Sequence, residues 1–303
     1  MREVEGIEVS LLGLEFPSPV LLASGVLGTS PGGLNKAARA GAGGVTTKSL
    51  GLNPREGHPL PAVVEVEGGY LNAMGLPNPG VGEFVDEISS REIPVPLLGS
   101  IYGSNADQFV RVAGELAPQV DVIELNLSCP HGGEYGSTVG TKPSLVEDIT
   151  TDVKEMVDLP VLAKLTPNVS DITEMGKAAE QGGADGVVAV NTLSGMAIDI
   201  ETRRPILGNE SGGLSGPGIH PVAVAAVYDL YESLSIPILG MGGVDDGRAL
   251  VEMMLAGASL VGLGTAIITE GMDVFADLNE FLRRYLERND LDLEDMVGAA
   301  HRS

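Results

Sequence analysis

Lysine is scarce in this chain of 303 residues, and two of its six lysines, Lys48 and Lys164, fall at or near the ends of short apolar runs. Asn126 and Asn191 close two further runs of the same kind. One polar residue in such a place is explained by capping a strand or by reaching for solvent. Four of them, on four runs, point to convergence on a single ligand. Ammonium groups supply charge and donors, and asparagines supply donors and acceptors, so the set suits a ligand rich in carboxylate and amide groups.

Two glycine clusters follow later apolar runs: Gly240-Met241-Gly242-Gly243 and Gly262-Leu263-Gly264-Thr265-Ala266. Such glycines serve tight turns that need positive φ, or they let backbone N–H groups and a helix N-terminus approach a phosphate. A helical pattern opening near Asp245 fits the second use. The single cysteine lies in Asn126-Leu127-Ser128-Cys129-Pro130-His131, ahead of a Gly-rich stretch that runs to Gly140. A lone cysteine is usually a small buried hydrophobe. Placed in a polar loop just past a strand, Cys129 becomes a candidate reactive thiol. His131 is open to two readings, an activating neighbour or an ordinary loop histidine. The histidines at 58, 131, 220 and 301 are scattered and match no metal-ligand spacing, so no metal site is expected.

Positioning these residues takes a repeated framework. Apolar runs occupy residues 19–23, 44–48, 96–100, 122–126, 160–165, 186–191, 236–241 and 259–264. They are nearly continuous rather than alternating, as expected of parallel strands covered on both faces. Helical periodicity follows most of them, over 105–116, 144–157, 170–181, 221–234, 245–256 and 272–288, and Ser30-Pro31 reads as a helix start. The alternation predicts an α/β fold, a (β/α)8 TIM barrel, as one domain over 1–303. Residues 7–16 read as an N-terminal β-hairpin plugging the bottom of the barrel. Two connections, 49–93 and 192–235, are longer than a simple βα unit needs, and they predict extended loops over the C-terminal face, where barrel sites lie.

Composition excludes several classes. A formal net charge of −24 leaves nothing to neutralise a row of phosphates or an anionic membrane surface, so neither nucleic acid nor membrane is an expected partner. The acidity fits a well-solvated surface and equally fits salt adaptation. One cysteine rules out an intrachain disulfide framework and suits a reducing, cytoplasmic setting. Met1 to Phe16 is charged throughout, with no secretory h-region, and no apolar run is long enough to span a bilayer.

Nine short stretches, in order from residue 23 to residue 266, resemble the dihydroorotate dehydrogenases, specifically the catalytic subunit of the class 1B, NAD-linked form. They are Ala23-Ser24-Gly25, Thr47-Lys48-Ser49, the run from Asn72 to Gly80, Asn126-Leu127-Ser128-Cys129-Pro130, Lys164-Leu165-Thr166-Pro167-Asn168, Asn191-Thr192-Leu193, the run from Gly212 to Pro217, Gly240 to Gly243, and Gly264-Thr265-Ala266. The resemblance implies FMN, with its phosphate at Gly216, Gly242, Gly243, Gly264 and Thr265. It implies flavin contacts at Ser24, Lys48, Ser49, Asn126, Lys164 and Val190. It places the substrate against Lys48, Asn72, Ala73, Met74, Gly75, Leu76, Asn126, Asn191 and Thr192, with Cys129 as catalytic base and Lys48 as the other catalytic residue. Dihydroorotate would lose a proton from C5 to the Cys129 thiolate and a hydride from C6 to flavin N5. Lys164 would stabilise the negative charge of the reduced flavin near N1.

Cys129 in place of a serine base and the absence of an N-terminal extension separate the chain from the membrane-bound members. Ile198-Asp199 and Arg203-Arg204-Pro205 resemble the 1B form. That form passes electrons to a partner subunit carrying FAD and a [2Fe–2S] cluster, then to NAD, in a heterotetramer of two catalytic and two electron-transfer subunits. A chain with one cysteine cannot itself hold such a cluster. The stretch 131–140 departs from the family pattern and bears on loop closure over the substrate.

Three other functions remain in view. A related flavin barrel acting on a reduced pyrimidine base would oxidise dihydrouracil and not dihydroorotate. A barrel lyase or aldolase would form a Schiff base at Lys164 or Lys48, trappable by borohydride. A non-catalytic sensor of a phosphate-bearing ligand would tolerate Cys129→Ala.

Overall fold

A computed structural model of the chain describes residues 6–128 and 136–302. The chain opens with an antiparallel hairpin, β1 (Val9–Leu11) and β2 (Leu14–Phe16). Its two turn residues, Leu12 and Gly13, have φ of 57° and 75°. Positive φ at both positions is what a tight two-residue hairpin turn requires. Phe16 enters the cluster that fills the barrel interior, and Val9, Leu11, Leu12 and Leu14 pack against it, so the hairpin plugs that end as the sequence predicts.

Eight parallel strands close the barrel, numbered in chain order together with the strands of two excursions described below. They are β3 (Val20–Leu22), β4 (Gly44–Thr46), β7 (Leu97–Ile101), β8 (Val122–Asn126), β9 (Val161–Lys164), β10 (Gly186–Ala189), β15 (Ile238–Met241) and β16 (Ala258–Leu263). Each is apolar on both sides because each is covered on both sides. Leu21, Leu98, Val122, Leu162, Val188, Leu239 and Leu260 fill the interior with Phe16. Val20, Val45, Ile123, Val187 and Val261 belong to the shell shared with the helices.

The main helices are α1 (Pro31–Arg39), α3 (Ala106–Leu116), α4 (Pro143–Met156), α5 (Ile172–Gln181), α6 (His220–Ser233), α7 (Gly247–Leu255) and α9 (Val274–Asn289). Ser30, Asn105, Asp171 and Asp246 cap four of them by accepting from backbone N–H groups. Such caps contribute about 1 kcal/mol each. Among the described residues no helix is long and apolar enough to cross a membrane.

The two long connections are more ordered than loops. The first carries β5 (Val63–Val66), β6 (Gly69–Asn72) and α2 (Val81–Ile88). The second carries β11 (Leu193–Gly195), a small hairpin of β12 (Ile198–Asp199) and β13 (Arg204–Pro205), and β14 (Gly212–Ser215). The excursions join in one antiparallel sheet of order β11-β14-β6-β5. Sequence reading gives loops here because β14 is half glycine and β5 is largely solvent-facing. The pairing that makes them strands is between distant segments. Two short helices, α8 (Ala266–Thr269) and α10 (Leu293–Met296), complete the fold.

Candidate active site

The C-terminal ends of the barrel strands and the underside of the excursion sheet enclose a cavity of about 730 Å³. That lies within the roughly 300–1,000 Å³ usual for small-molecule and cofactor sites. Asn126 and Lys164 are the last residues of β8 and β9. Lys48 and Asn191, where the apolar runs place the strand ends, stand two residues past the observed ends of β4 (Thr46) and β10 (Ala189). All four line the cavity, as do Ser24, Ser49, Val190 and Thr192. Asn72, at the end of β6, and Ala73, Met74, Gly75 and Leu76 after it line the cavity from the first excursion. Gly216, Gly242, Gly243, Gly264 and Thr265 line it from the loops after β14, β15 and β16. Cys129 and His131 lie outside the described residues. The preceding Ser128 lines the cavity, and its N–H donates to Asn126 Oδ1 at 3.3 Å.

Backbone contacts fix the lysines. The Lys48 N–H donates to the Gly28 carbonyl at 2.8 Å, and a Cβ on Gly28 would meet the Lys48 nitrogen at 2.4 Å. Only glycine permits that approach. Lys48 is 9% exposed, and no described residue accepts a hydrogen bond from its ammonium. Burial first, and then the charge of Lys164, hold its amine below the ordinary lysine range. Lys164 Nζ donates to Ser24 Oγ at 3.1 Å across the barrel and lies 3.8 Å from Glu124 Oε1.

A chain of side-chain hydrogen bonds sets the asparagines. Ser100 and Ser49 share a hydroxyl contact of 2.9 Å. Asn126 Nδ2 donates to Ser49 Oγ at 3.0 Å, and Asn191 Nδ2 donates to Asn126 Oδ1 at 3.2 Å. Asn168 holds the next segment, donating to the Thr192 carbonyl and accepting from the Ser194 N–H. Ser100, Asn168 and Glu124 are contributions that the strand-end rule misses, because Ser100 and Glu124 lie inside β7 and β8 and Asn168 lies in the loop after β9. Glu124 is conspicuous as an acid inside an apolar run, which by itself names no role.

The glycine loops form one cradle. Gly242 has φ of 135°, which L side chains rarely adopt, and a Cβ there would meet that of Ala223 at 2.6 Å. A Cβ on Gly243 would meet the Gly216 carbonyl at 2.7 Å, so the β14 and β15 loops adjoin. A Cβ on Gly264 meets nothing within 4 Å. It would enter open cavity space, which a ligand's phosphate is suited to fill. On the cradle's rim, burial and then the neighbouring Asp246 push the Asp245 carboxyl up. The cavity thus pairs a glycine-lined backbone cradle with a floor holding oriented amides and a buried ammonium that has no hydrogen-bond partner among the described residues. That combination suits an anionic, amide-rich ligand beside a phosphate-bearing one. Among the described residues no group of three or more His, Cys, Asp or Glu side chains is placed to hold a metal ion.

Known proteins give the same direction. The family profile described as dihydroorotate dehydrogenase matches residues 6–286. A protein of Methanocella arvoryzae is 50% identical, covering 96% of this chain and 96% of that protein. One of Methanocaldococcus jannaschii is 47% identical over 97% of this chain and 98% of that protein. One of Pyrococcus abyssi is 48% identical over 97% and 99%. Each is named dihydroorotate dehydrogenase B (NAD(+)), catalytic subunit. With a profile match over most of its length and relatives this similar end to end, the chain belongs to the dihydroorotate dehydrogenase family.

Proposed function

We propose that the chain oxidises (S)-dihydroorotate to orotate in pyrimidine (UMP) biosynthesis, as the FMN-bearing catalytic subunit of an NAD-linked enzyme, with residues 1–303 working as one cytoplasmic barrel domain. The observation that carries this reading is the convergence of Lys48, Asn126, Lys164 and Asn191 with the Gly242–Gly243 and Gly264 loops on one cavity. The residues present fit FMN: Gly216, Gly242, Gly243, Gly264 and Thr265 would hold the phosphate. Ser24, Lys48, Ser49, Asn126, Lys164 and Val190 would hold the rest.

Bound FMN supplies the acceptor for the hydride leaving C6. Cys129, as thiolate, takes the proton from C5. The substrate carboxylate and ring amides suit the Lys48 ammonium and the side chains of Asn72, Asn126 and Asn191. Because Ser49 and Ser100 orient Asn126, and Asn126 orients Asn191, both amides are set before the substrate arrives. The β11-β14-β6-β5 sheet and the segment from Ala73 to Leu76 cover the site and limit water. Lys164 offers positive charge to the reduced flavin. A separate subunit carrying FAD and a [2Fe–2S] cluster would carry the electrons on to NAD, in a heterotetramer of two catalytic and two electron-transfer subunits.

A substrate panel with an artificial dye as acceptor tests the assignment. Turnover of dihydroorotate and not of dihydrouracil is expected; the reverse would move the chain to the reduced-base oxidoreductases. Purified chain that reduces NAD with dihydroorotate at full rate, with no second protein present, would remove the partner subunit from the reading.

A further inference from the structure

The eight barrel strands contain two ionisable residues, Glu124 on β8 and Lys164 on β9. Glu124 is fully buried. It alternates with Val122 and Asn126 along β8, and Val122 belongs to the interior cluster, so its side chain shares the inner face of the barrel. It does not line the cavity, whereas Lys164 does. Neither carboxylate oxygen has a hydrogen-bond partner among the described residues, and the charged group it faces is the Lys164 ammonium at 3.8 Å. An interior rarely keeps a carboxylate without a counter-charge.

We infer that Glu124 is a positioning residue: from beneath the cavity floor its carboxylate offsets the charge of the Lys164 ammonium and directs that group at the ligand. Lys164 has two anchors that agree with this role, Ser24 Oγ on one side and Glu124 on the other. Without Glu124, Lys48 and Lys164 would stand as two buried ammonium groups repelling one another, a repulsion already felt at Lys48. With it, the floor carries one net positive charge, which an anionic ligand can match. The other ionisable side chains at the cavity among the described residues are His58, Tyr70 and Asp245, none of them on a barrel strand. The inference rests on the flavin reading for its redox readout, and its stability readout is independent of it.

The test is Glu124→Gln, which keeps shape and removes charge. In flavin-loaded protein at mildly acid pH, the floor then holds two positive charges instead of one. The reduced, anionic flavin is favoured over the oxidised form by at least tenfold, which is about 30 mV upward in midpoint potential for a two-electron couple. Potentials that coincide would overturn the proposal, since a neutral packing residue predicts that result. Thermal unfolding without flavin gives the second measurement: Glu124→Gln/Lys164→Met should melt higher than Glu124→Gln alone, because the second substitution removes the ammonium that the first leaves without its counter-charge, along with its repulsion of Lys48. A double variant that melts lower by the sum of the two single effects would equally overturn it. Parent protein that never takes up FMN would instead sink the flavin reading and leave the unfolding comparison standing.

Discussion

Asn72 Nδ2 donates to the carbonyl of Gly213 at 3.2 Å, joining segments 141 residues apart in the chain. The same two residues are paired in the β6–β14 register. The contact locks the two excursions into one roof and leaves Asn72 on the cavity wall. Asn72→Ala removes one roof hydrogen bond and, on the proposed reading, a substrate contact. We expect KM for dihydroorotate to rise at least tenfold with a smaller change in kcat, and stability to fall by about 1 kcal/mol. Steady-state kinetics with thermal unfolding check this. An unchanged KM would remove Asn72 from the substrate site.

Gly264 separates ligand binding from folding. A Cβ there touches no protein atom, so Gly264→Ala should melt like the parent. Its methyl group would occupy the phosphate space, so FMN affinity should fall at least tenfold, or about 1.4 kcal/mol. Fluorescence titration of the flavin-free protein measures it. Parent-like affinity would place the phosphate elsewhere.

Lys48 makes a prediction about pH. Its pKa in the folded chain is lowered from the ordinary 10.5. Below the lowered value both folded and unfolded chains hold the proton, and folding bears the full cost of burying the charge. Between that value and 10.5 only the unfolded chain keeps the proton, so stability rises with pH. Flavin-free Lys48→Met should therefore be more stable than the parent near neutrality, with the gain shrinking as pH approaches 10.5. Thermal midpoints across that range decide it, and a gain independent of pH would contradict the burial account.

The net charge of −24 yields a salt prediction. If the surface is adapted to salt, both activity and thermal midpoint rise as KCl reaches molar concentration, where screening shortens to about 3 Å. No response in either would leave the acidity as an ordinary solvated surface.

Much of the fold was legible in the sequence because parallel strands covered on both faces must be apolar throughout, as Val20–Leu22 and Gly186–Ala189 are. The capping residue Ser30 and the hairpin plug were legible for local reasons, a cap ahead of Pro31 and a turn at Leu12-Gly13. The roof was not. Gly212–Ser215 has no periodicity of its own and becomes a strand only through Tyr70, Leu71 and Asn72. Residues at strand ends, such as Asn126 and Lys164, were readable as a convergent set, because the barrel topology sends every strand end to one face. Glu124 was passed over, since an acid inside a strand has no meaning until Lys164 is placed beside it. Cys129 stands out in the sequence by its loop but lies outside the described residues, so its role as base rests on the resemblance alone.

The most direct measurement is a visible absorption spectrum of the purified protein before and after anaerobic dihydroorotate. The account predicts a flavin spectrum that bleaches on addition. A flavin that stays oxidised would keep the cofactor and send the search to other substrates. A folded protein with no flavin, and none taken up from added FMN, would contradict the account and bring a Schiff base at Lys164 or Lys48 forward.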